Sequence, residues 1–169
     1  FMGNLVLLIV GGNDTTRNTM SGIVHGLNQF PDQRAIFESD PSVIPNAVQE
    51  CIRYVTPLAH MRRTATEDAD LFGNAIKAGD KLVLWYLSAN RDETVFDEPH
   101  RFDITRRPNP HLAFGGGGPH FCLGAWLARL QIRVMFEECL ARDLRLESNG
   151  PVRRVRSNFV NGVKSMPVR

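Results

Sequence analysis

Four consecutive glycines, Gly115 to Gly118, stand between Phe114 and Pro119, and four residues beyond the last of them is Cys122. Glycine loses more conformational freedom on folding than any other residue, so such a run is disfavoured unless the backbone needs positive φ or something must approach it closely. Beyond the cysteine, Leu127, Leu130, Val134 and Leu140 recur on one helical face, which predicts a helix from Leu123 to about Arg142. A cysteine at a helix start meets unpaired N–H groups and the positive end of the helix dipole, both of which favour a thiolate. Gly124, two residues on, leaves the far side of the sulfur unobstructed.

A thiolate in this setting can be a nucleophile, a metal ligand, or simply a small buried apolar group. A phosphatase-type loop needs an arginine six residues after the cysteine, where this chain has Ala128, with Arg129 one later. For zinc, His111 and His120 are the nearest other ligands and no four-ligand set assembles. Axial ligation of an iron by one cysteine requires only Cys122 itself. The three cysteines, Cys51, Cys122 and Cys139, are odd in number and form no CxxC pair, so neither a disulfide framework nor a zinc ribbon is expected and a reducing cytoplasm fits.

The 169 residues suffice for one ordinary domain, and an apolar content of 43% supplies a core. A formal charge of +2, from 20 basic and 18 acidic residues, argues against a general nucleic-acid binder or a membrane-surface polycation. Local basic patches remain open at Arg62 and Arg63, at Arg106 and Arg107, and over Arg153 to Arg156. No apolar run reaches the ~18 residues of a membrane span, and no signal peptide is visible. The chain opens at Phe1 and runs directly into "NLVLLIV", as though a preceding part were missing.

Along the chain, Phe1 to about Phe30 reads either as one long buried helix or as a strand, Leu5 to Val10, followed by a glycine turn. Pro31 to Ser39 predicts a short helix, and Asp40-Pro41 a break. Ile44, Val48, Ile52 and Val55 form a helical stripe that ends at Thr56-Pro57. "LFGNAIKAGDKLVLWY" predicts two short extended runs with turns at Gly73-Asn74 and Gly79-Asp80, and a helical turn is expected around Ala89 to Asp92. The tail carries further short strand candidates.

Two more constellations bear on chemistry. In "VGGNDTTRN", Gly11 and Gly12 would weaken a helix by ~1 kcal/mol each, and Thr15 or Thr16 could bond back to a carbonyl and bend the axis. That defect would leave space beside an acid, Asp14, and a hydroxyl, Thr15, which is a plausible proton relay. A strand-to-helix turn with Asp14 as N-cap is the other reading; it suggests a dinucleotide fold, although GxGxxG is absent. In "ECIR", Glu50 and Arg53 share one helical face and can pair as an ordinary surface bridge. With Arg101 brought in by "PHRF", a three-member buried charge network is possible, one that fixes geometry more than it stabilises.

In this order and at these separations the motifs resemble the C-terminal half of a bacterial cytochrome P-450, a haem-thiolate monooxygenase, and the likeness runs over essentially the whole chain. The resemblance implies a mainly α fold with small β-sheets (α+β), with residues 1–169 forming the C-terminal haem-binding portion of a single domain whose N-terminal half precedes Phe1. It implies haem b on Cys122 as the metal ligand, with Gly12, Phe114, Gly116 and Gly124 against the cofactor and His120 and Arg63 on its propionates. Glu50, Arg53 and Arg101 fall on the family's structural charge network, Asp14 and Thr15 on proton delivery to dioxygen, and Gly11, Leu58 and Ala59 on the substrate pocket. One departure concerns the aromatic residue usually seven positions before the cysteine: that position is Gly115, and Phe114 sits eight before.

"GGNDTTRN" and "TPLAHMRRTA" also look like bacterial alkane terminal hydroxylases, and "NFVNGVKSMPVR" like the end of terpene hydroxylases. The implied substrate is therefore small, apolar and aliphatic: an alkane, fatty acid, terpenoid or sterol side chain. Electrons would come ultimately from NAD(P)H through a ferredoxin-type partner docking on Arg101, Arg106, Arg129 and Arg133, in a cytoplasmic protein without nucleic acid or membrane. The chain alone is expected to be inactive and to expose apolar faces on its first and last long helices. Two rivals are a nucleotide-binding oxidoreductase built on Leu5 to Thr16, and a haem-binding fragment without catalysis.

Overall fold

The first helix, α1 (Met2–Gln29), runs without interruption through Gly11 and Gly12 in the computed structural model, which describes all 169 residues. This decides between the two readings of the N-terminal segment and removes the strand that a dinucleotide fold would need. Thr15 donates its hydroxyl to the Gly11 carbonyl at 2.7 Å and Thr19 to that of Thr15 at 2.8 Å, the back-bonding that the glycine pair invited. Burial begins only at Thr16 and continues through Asn18, Thr19, Ile23, Gly26 and Leu27. The closest approach on the helix is at Gly22, where an added Cβ would lie 2.3 Å from a Val55 methyl group.

Proline starts the next element, α2 (Pro31–Ser39), as expected, and a 3-10 turn at Pro41–Val43 leads into α3 (Ile44–Val55). The stripe of Ile44, Val48, Ile52 and Val55 is buried along its whole length. The helix stops where Thr56 turns left-handed, with φ of 41°, before Pro57. Strands β1 (His60–Thr64) and β4 (Lys81–Trp85) pair antiparallel in the register His60 to Trp85. Between them lies a hairpin of β2 (Ala69–Leu71) and β3 (Asn74–Ile76). There are thus two small sheets where two extended runs were expected, and the hairpin turn is Phe72-Gly73, both at positive φ, with Asn74 already in the strand.

The short helix α4 (Tyr86–Ala89) comes earlier than expected, and turn bonds continue from it to Asp92. A long irregular segment then leads to α5 (Ala125–Ala141), and a third two-stranded sheet, β5 (Arg153–Arg154) with β6 (Val163–Ser165), closes the tail. The core lies where α1, α2, α3 and α5 meet, around Ile23, Phe37, Ile52, Phe102, Ile132 and Phe136. The architecture is the expected one, mainly helical with small sheets.

Two expectations change on α5. The helix begins at Ala125 rather than Leu123. Its buried side is Ala125, Ile132 and Phe136, whereas Leu127, Leu130 and Val134 are exposed. The periodic stripe is real but points away from this core. With Leu123 and Trp126, and with Leu7, Leu8 and Ile9 on α1, it makes up the exposed apolar faces expected of these two helices.

The charge network is also corrected. Glu50 and Arg53 are wholly buried and joined by two bonds of 2.8 Å. The third charge is Arg106, whose Nε lies 3.4 Å from Glu50, and not Arg101. The Arg101 side chain pairs with Asp32 at the surface, and only its backbone carbonyl joins the network, accepting from Arg53 at 3.0 Å. Arg106 therefore leaves the basic patch expected with Arg107 and is buried, its guanidinium donating to the Asp97 and Glu98 carbonyls inside the fold. Breaking a buried charge set costs about 3–5 kcal/mol and an exposed pair under about 1. Urea denaturation is therefore expected to find Arg106→Met destabilising by about 3 kcal/mol and Arg101→Met by less than about 1; equal losses would contradict this assignment.

Candidate functional site

The cysteine loop hangs from the buried network. Asn90 receives Arg53 Nη1 on its carbonyl at 2.7 Å, donates its amide to the Thr56 hydroxyl at 2.9 Å, and accepts the Leu112 N–H on Oδ1 at 2.7 Å. From Leu112 the loop closes on itself: Gly115 N–H reaches the Leu112 carbonyl at 2.8 Å, and Cys122 N–H the Phe114 carbonyl at 3.0 Å. Of the four glycines, Gly115 and Gly118 adopt φ of +87° and +99°, which L side chains rarely adopt. Cys122 sits just before the helix, three residues ahead of Ala125, whose N–H reaches its carbonyl at 3.2 Å.

A second brace comes from the neighbour of Glu50. Gln49 accepts on Oε1 from His111 Nε2 at 3.1 Å and from Arg129 Nε at 3.3 Å. The Arg129 guanidinium lies over the Phe114 ring, 4.6 Å from its centroid, and near that of Trp126 at 5.2 Å. Burial lowers the Arg129 pKa, and the Cys122 sulfur opposes that shift. His111 is largely buried, its Nδ1 has no partner, and burial, followed by the charges of Arg129 and Arg53, lowers its pKa to about 4.

Cys122, His120 and Phe114 line a slot of about 390 Å³ together with Thr15, Thr16 and Thr19 of α1 and with Leu58, Met61 and Arg63. Of the residues singled out in the sequence, the slot brings together Gly11, Thr15, Leu58, Arg63, Phe114, His120 and Cys122. Gly12, Asp14, Ala59, Gly116 and Gly124 are not on its wall. Asp14 is half-exposed and paired with Arg17 at 3.0 Å, one residue along the helix from the slot. Ala59 is buried, its N–H bonded to the Phe159 carbonyl at 2.8 Å. Glu50 and Arg53 lie behind the loop as its support. A larger cavity of about 440 Å³, between α2 and α5, holds no residue of the cysteine loop.

Sequence reasoning read Thr16 only as a helix-bending hydroxyl and passed over Thr19, Gln49, Asn90 and Asn109, the last of which donates to Glu50 at 3.0 Å. Gln49 adjoins the ExxR pair and Thr16 adjoins Thr15, so proximity was a usable signal. Asn90 lies in an irregular stretch with no periodicity to mark it.

The donor set is one exposed thiol with two basic side chains, Arg63 and His120, on the same slot. Gly116, Gly117 and Gly124 have no positive φ, and a Cβ on any of them would meet nothing within 4 Å. The protein itself does not require glycine there, whereas a flat group laid over the cysteine would. The fold and the site therefore define a slot that presents a free cysteine sulfur and suits a flat, anionic, iron-bearing ligand, which is what a haem is.

The sequence profile of the cytochrome P450 family matches residues 42–159, and the chain belongs to that family. It is 49% identical over 168 residues to linalool 8-monooxygenase of Pseudomonas putida, covering 99% of this chain and 41% of that protein. It is 48% identical over 164 residues to a methyl-branched lipid omega-hydroxylase of Mycobacterium tuberculosis, covering 96% of the chain and 38% of the relative. Among solved structures, cytochrome P450-153 from Novosphingobium aromaticivorans superposes with a TM-score of 0.96 at 64% identity, over 99% of this chain and 42% of that one. The chain thus spans about two-fifths of the length of the relatives it matches.

The buried imidazole sets a pH dependence. With its folded pKa near 4 and an unfolded value of 6.5, His111 takes up protons more readily in the unfolded state, so stability falls as pH drops from about 6.5 towards about 4. Denaturation midpoints across this range are expected to show a loss of up to about 3 kcal/mol that His111→Gln flattens. An unchanged slope in the variant would assign the dependence to other groups.

Proposed function

We propose that the chain is the C-terminal, haem-bearing portion of a monooxygenase that hydroxylates an apolar aliphatic substrate. The observation that carries this reading is the exposed Cys122, presented by a glycine loop and lining one slot with Thr15 and Thr16 of the opposite helix. Cys122 would hold the iron, with His120 and Arg63 placed for the propionates and Phe114 beside the loop. When bound, the haem supplies the reductive activation of dioxygen and the insertion of one oxygen atom into a C–H bond.

The chain's own part is to position and to move protons. Thr15 holds its hydroxyl at the slot wall through its bond to the Gly11 carbonyl. Asp14, one residue away, carries its carboxylate on the solvent side against Arg17. Release of Arg17 leaves Asp14 able to take a proton from water and Thr15 to pass it into the slot. Leu58 and Met61 give that slot an apolar wall, which suits an alkane, fatty acid, terpenoid or sterol side chain. The named activities of the relatives, on linalool and on methyl-branched lipids, support an aliphatic substrate.

Electrons would reach the site from NAD(P)H through a ferredoxin-type partner in the cytoplasm. Of the four arginines considered for docking, Arg106 is buried and Arg129 is held by Gln49 and two aromatic rings, so the surface charges are Arg101 and Arg133. No helix is long and apolar enough to cross a membrane.

In the haem-loaded protein, the reduced carbon monoxide difference spectrum is expected to show a thiolate-type Soret band that Cys122→Ser abolishes. A band that survives the substitution would place the iron on another residue. Charge reversal at Arg133 is expected to slow reduction by a ferredoxin at low salt and to lose that effect at high salt; equal rates at every salt concentration would remove Arg133 from the docking face.

A further inference from the structure

A cavity of about 260 Å³ that no residue of the cysteine loop lines opens between α1, the end of α3, α4 and the tail sheet. Two arginines line it, Arg91 and Arg154, and no carboxylate does. Neither arginine forms an ion pair with any acidic side chain of the protein. Arg91 is held from behind: Nη2 donates to the Tyr54 carbonyl at 2.7 Å and the guanidinium lies 5.5 Å from the centroid of the Tyr54 ring. Its Nη1 is buried and has no partner at all.

A half-buried guanidinium with one nitrogen out of reach of water and no counter-charge is left under-solvated unless an anion reaches it. Glu50, the one carboxylate whose charge acts on Arg91, is already taken by Arg53, Arg106 and Asn109. Both arginines put positive charge on the cavity wall: burial and then Arg154 lower the pKa of His25, and burial and then Arg53 lower that of Arg91. Arg154 is exposed, and its side chain makes a single bond, to the Asn161 amide oxygen at 3.4 Å. His25, Gln29 and the Tyr54 side chain add neutral donors to the walls.

We propose that this cavity is a binding site for a phosphoryl dianion, clamped between the anchored guanidinium of Arg91 and the exposed one of Arg154. Two forks presenting several N–H donors match the tetrahedral oxygens of phosphate, and the small volume suits a phosphate or the phosphoryl end of a small ester rather than a drug-sized ligand. The site lies outside the cysteine slot and does not depend on haem.

The test is calorimetric titration of inorganic phosphate, and separately of glycerol phosphate, into the chain at low ionic strength. The wild type is expected to bind one equivalent saturably. Arg154→Glu, a surface change, is expected to weaken binding about ten-fold or more, while Arg156→Glu, exposed and outside the cavity with the same change in net charge, shifts it less than about two-fold. Arg91→Lys keeps the charge and removes the fork, so weaker binding by a variant that still melts cooperatively supports the clamp; if that variant does not fold, the Arg154 and Arg156 pair decides. Tighter binding of the ester assigns the site to a phosphomonoester, and tighter binding of inorganic phosphate assigns it to the free ion. No saturable binding by the wild type, or equal losses in the Arg154 and Arg156 variants, would mean an adventitious ion only and overturn the proposal.

Discussion

The buried pair of Glu50 and Arg53 is the interaction on which the rest of the structure depends. Two charges with no exposure survive in the interior only if every lone pair and proton is met. Meeting them determines the course of the irregular segment: Arg53 takes the carbonyls of Asn90, Pro99 and Arg101, while Glu50 takes the Asp103 N–H, Asn109 and Arg106. A stretch from Asn90 to Asn109 without long regular elements thereby acquires one conformation. Asn90 then hands that order on to Leu112 and so to the cysteine loop.

Above this base, the loop divides its glycines between two kinds of requirement. Gly115 and Gly118 answer to the backbone, because only glycine adopts their φ without strain. Gly116 and Gly117 answer to nothing in the chain, and their bareness leaves the surface beside Cys122 open to a flat group. The extra residue between Phe114 and Cys122 is accommodated inside this run, since Cys122 N–H still reaches the Phe114 carbonyl and Arg129 still stacks on the Phe114 ring.

Both α1 and α5 carry exposed apolar faces, Leu7, Leu8 and Ile9 on the first and Leu123, Trp126 and Leu127 at the start of the second. The core takes one side of α5, through Ala125, Ile132 and Phe136, and leaves a second side exposed, while α1 is exposed all round before Asp14. The long stripe of Leu127, Leu130 and Val134 on α5 belongs to that second side.

By itself the sequence determined what depends on local spacing and on residue chemistry. Proline at the start of α2, the three-and-four spacing on α3, the glycine run before Cys122 and the i, i+3 placement of Glu50 and Arg53 all act within one turn or one loop. Each was legible for that reason, as were the slot residues His120 and Cys122 beside the glycine run and Thr15 beside the Gly11-Gly12 pair. Tertiary structure alone decided which arginine became the third buried charge. Arg101 and Arg106 are chemically identical and five residues apart on an irregular segment, and only the path of that segment around Glu50 puts one inside and the other against Asp32. It also decided which side of α5 faces the core, because a helix with apolar residues on two sides carries no local preference between them. Asn90 and Gln49 became structural for the same reason, since their partners lie 22 and 80 residues away at Leu112 and Arg129, beyond the reach of any periodicity.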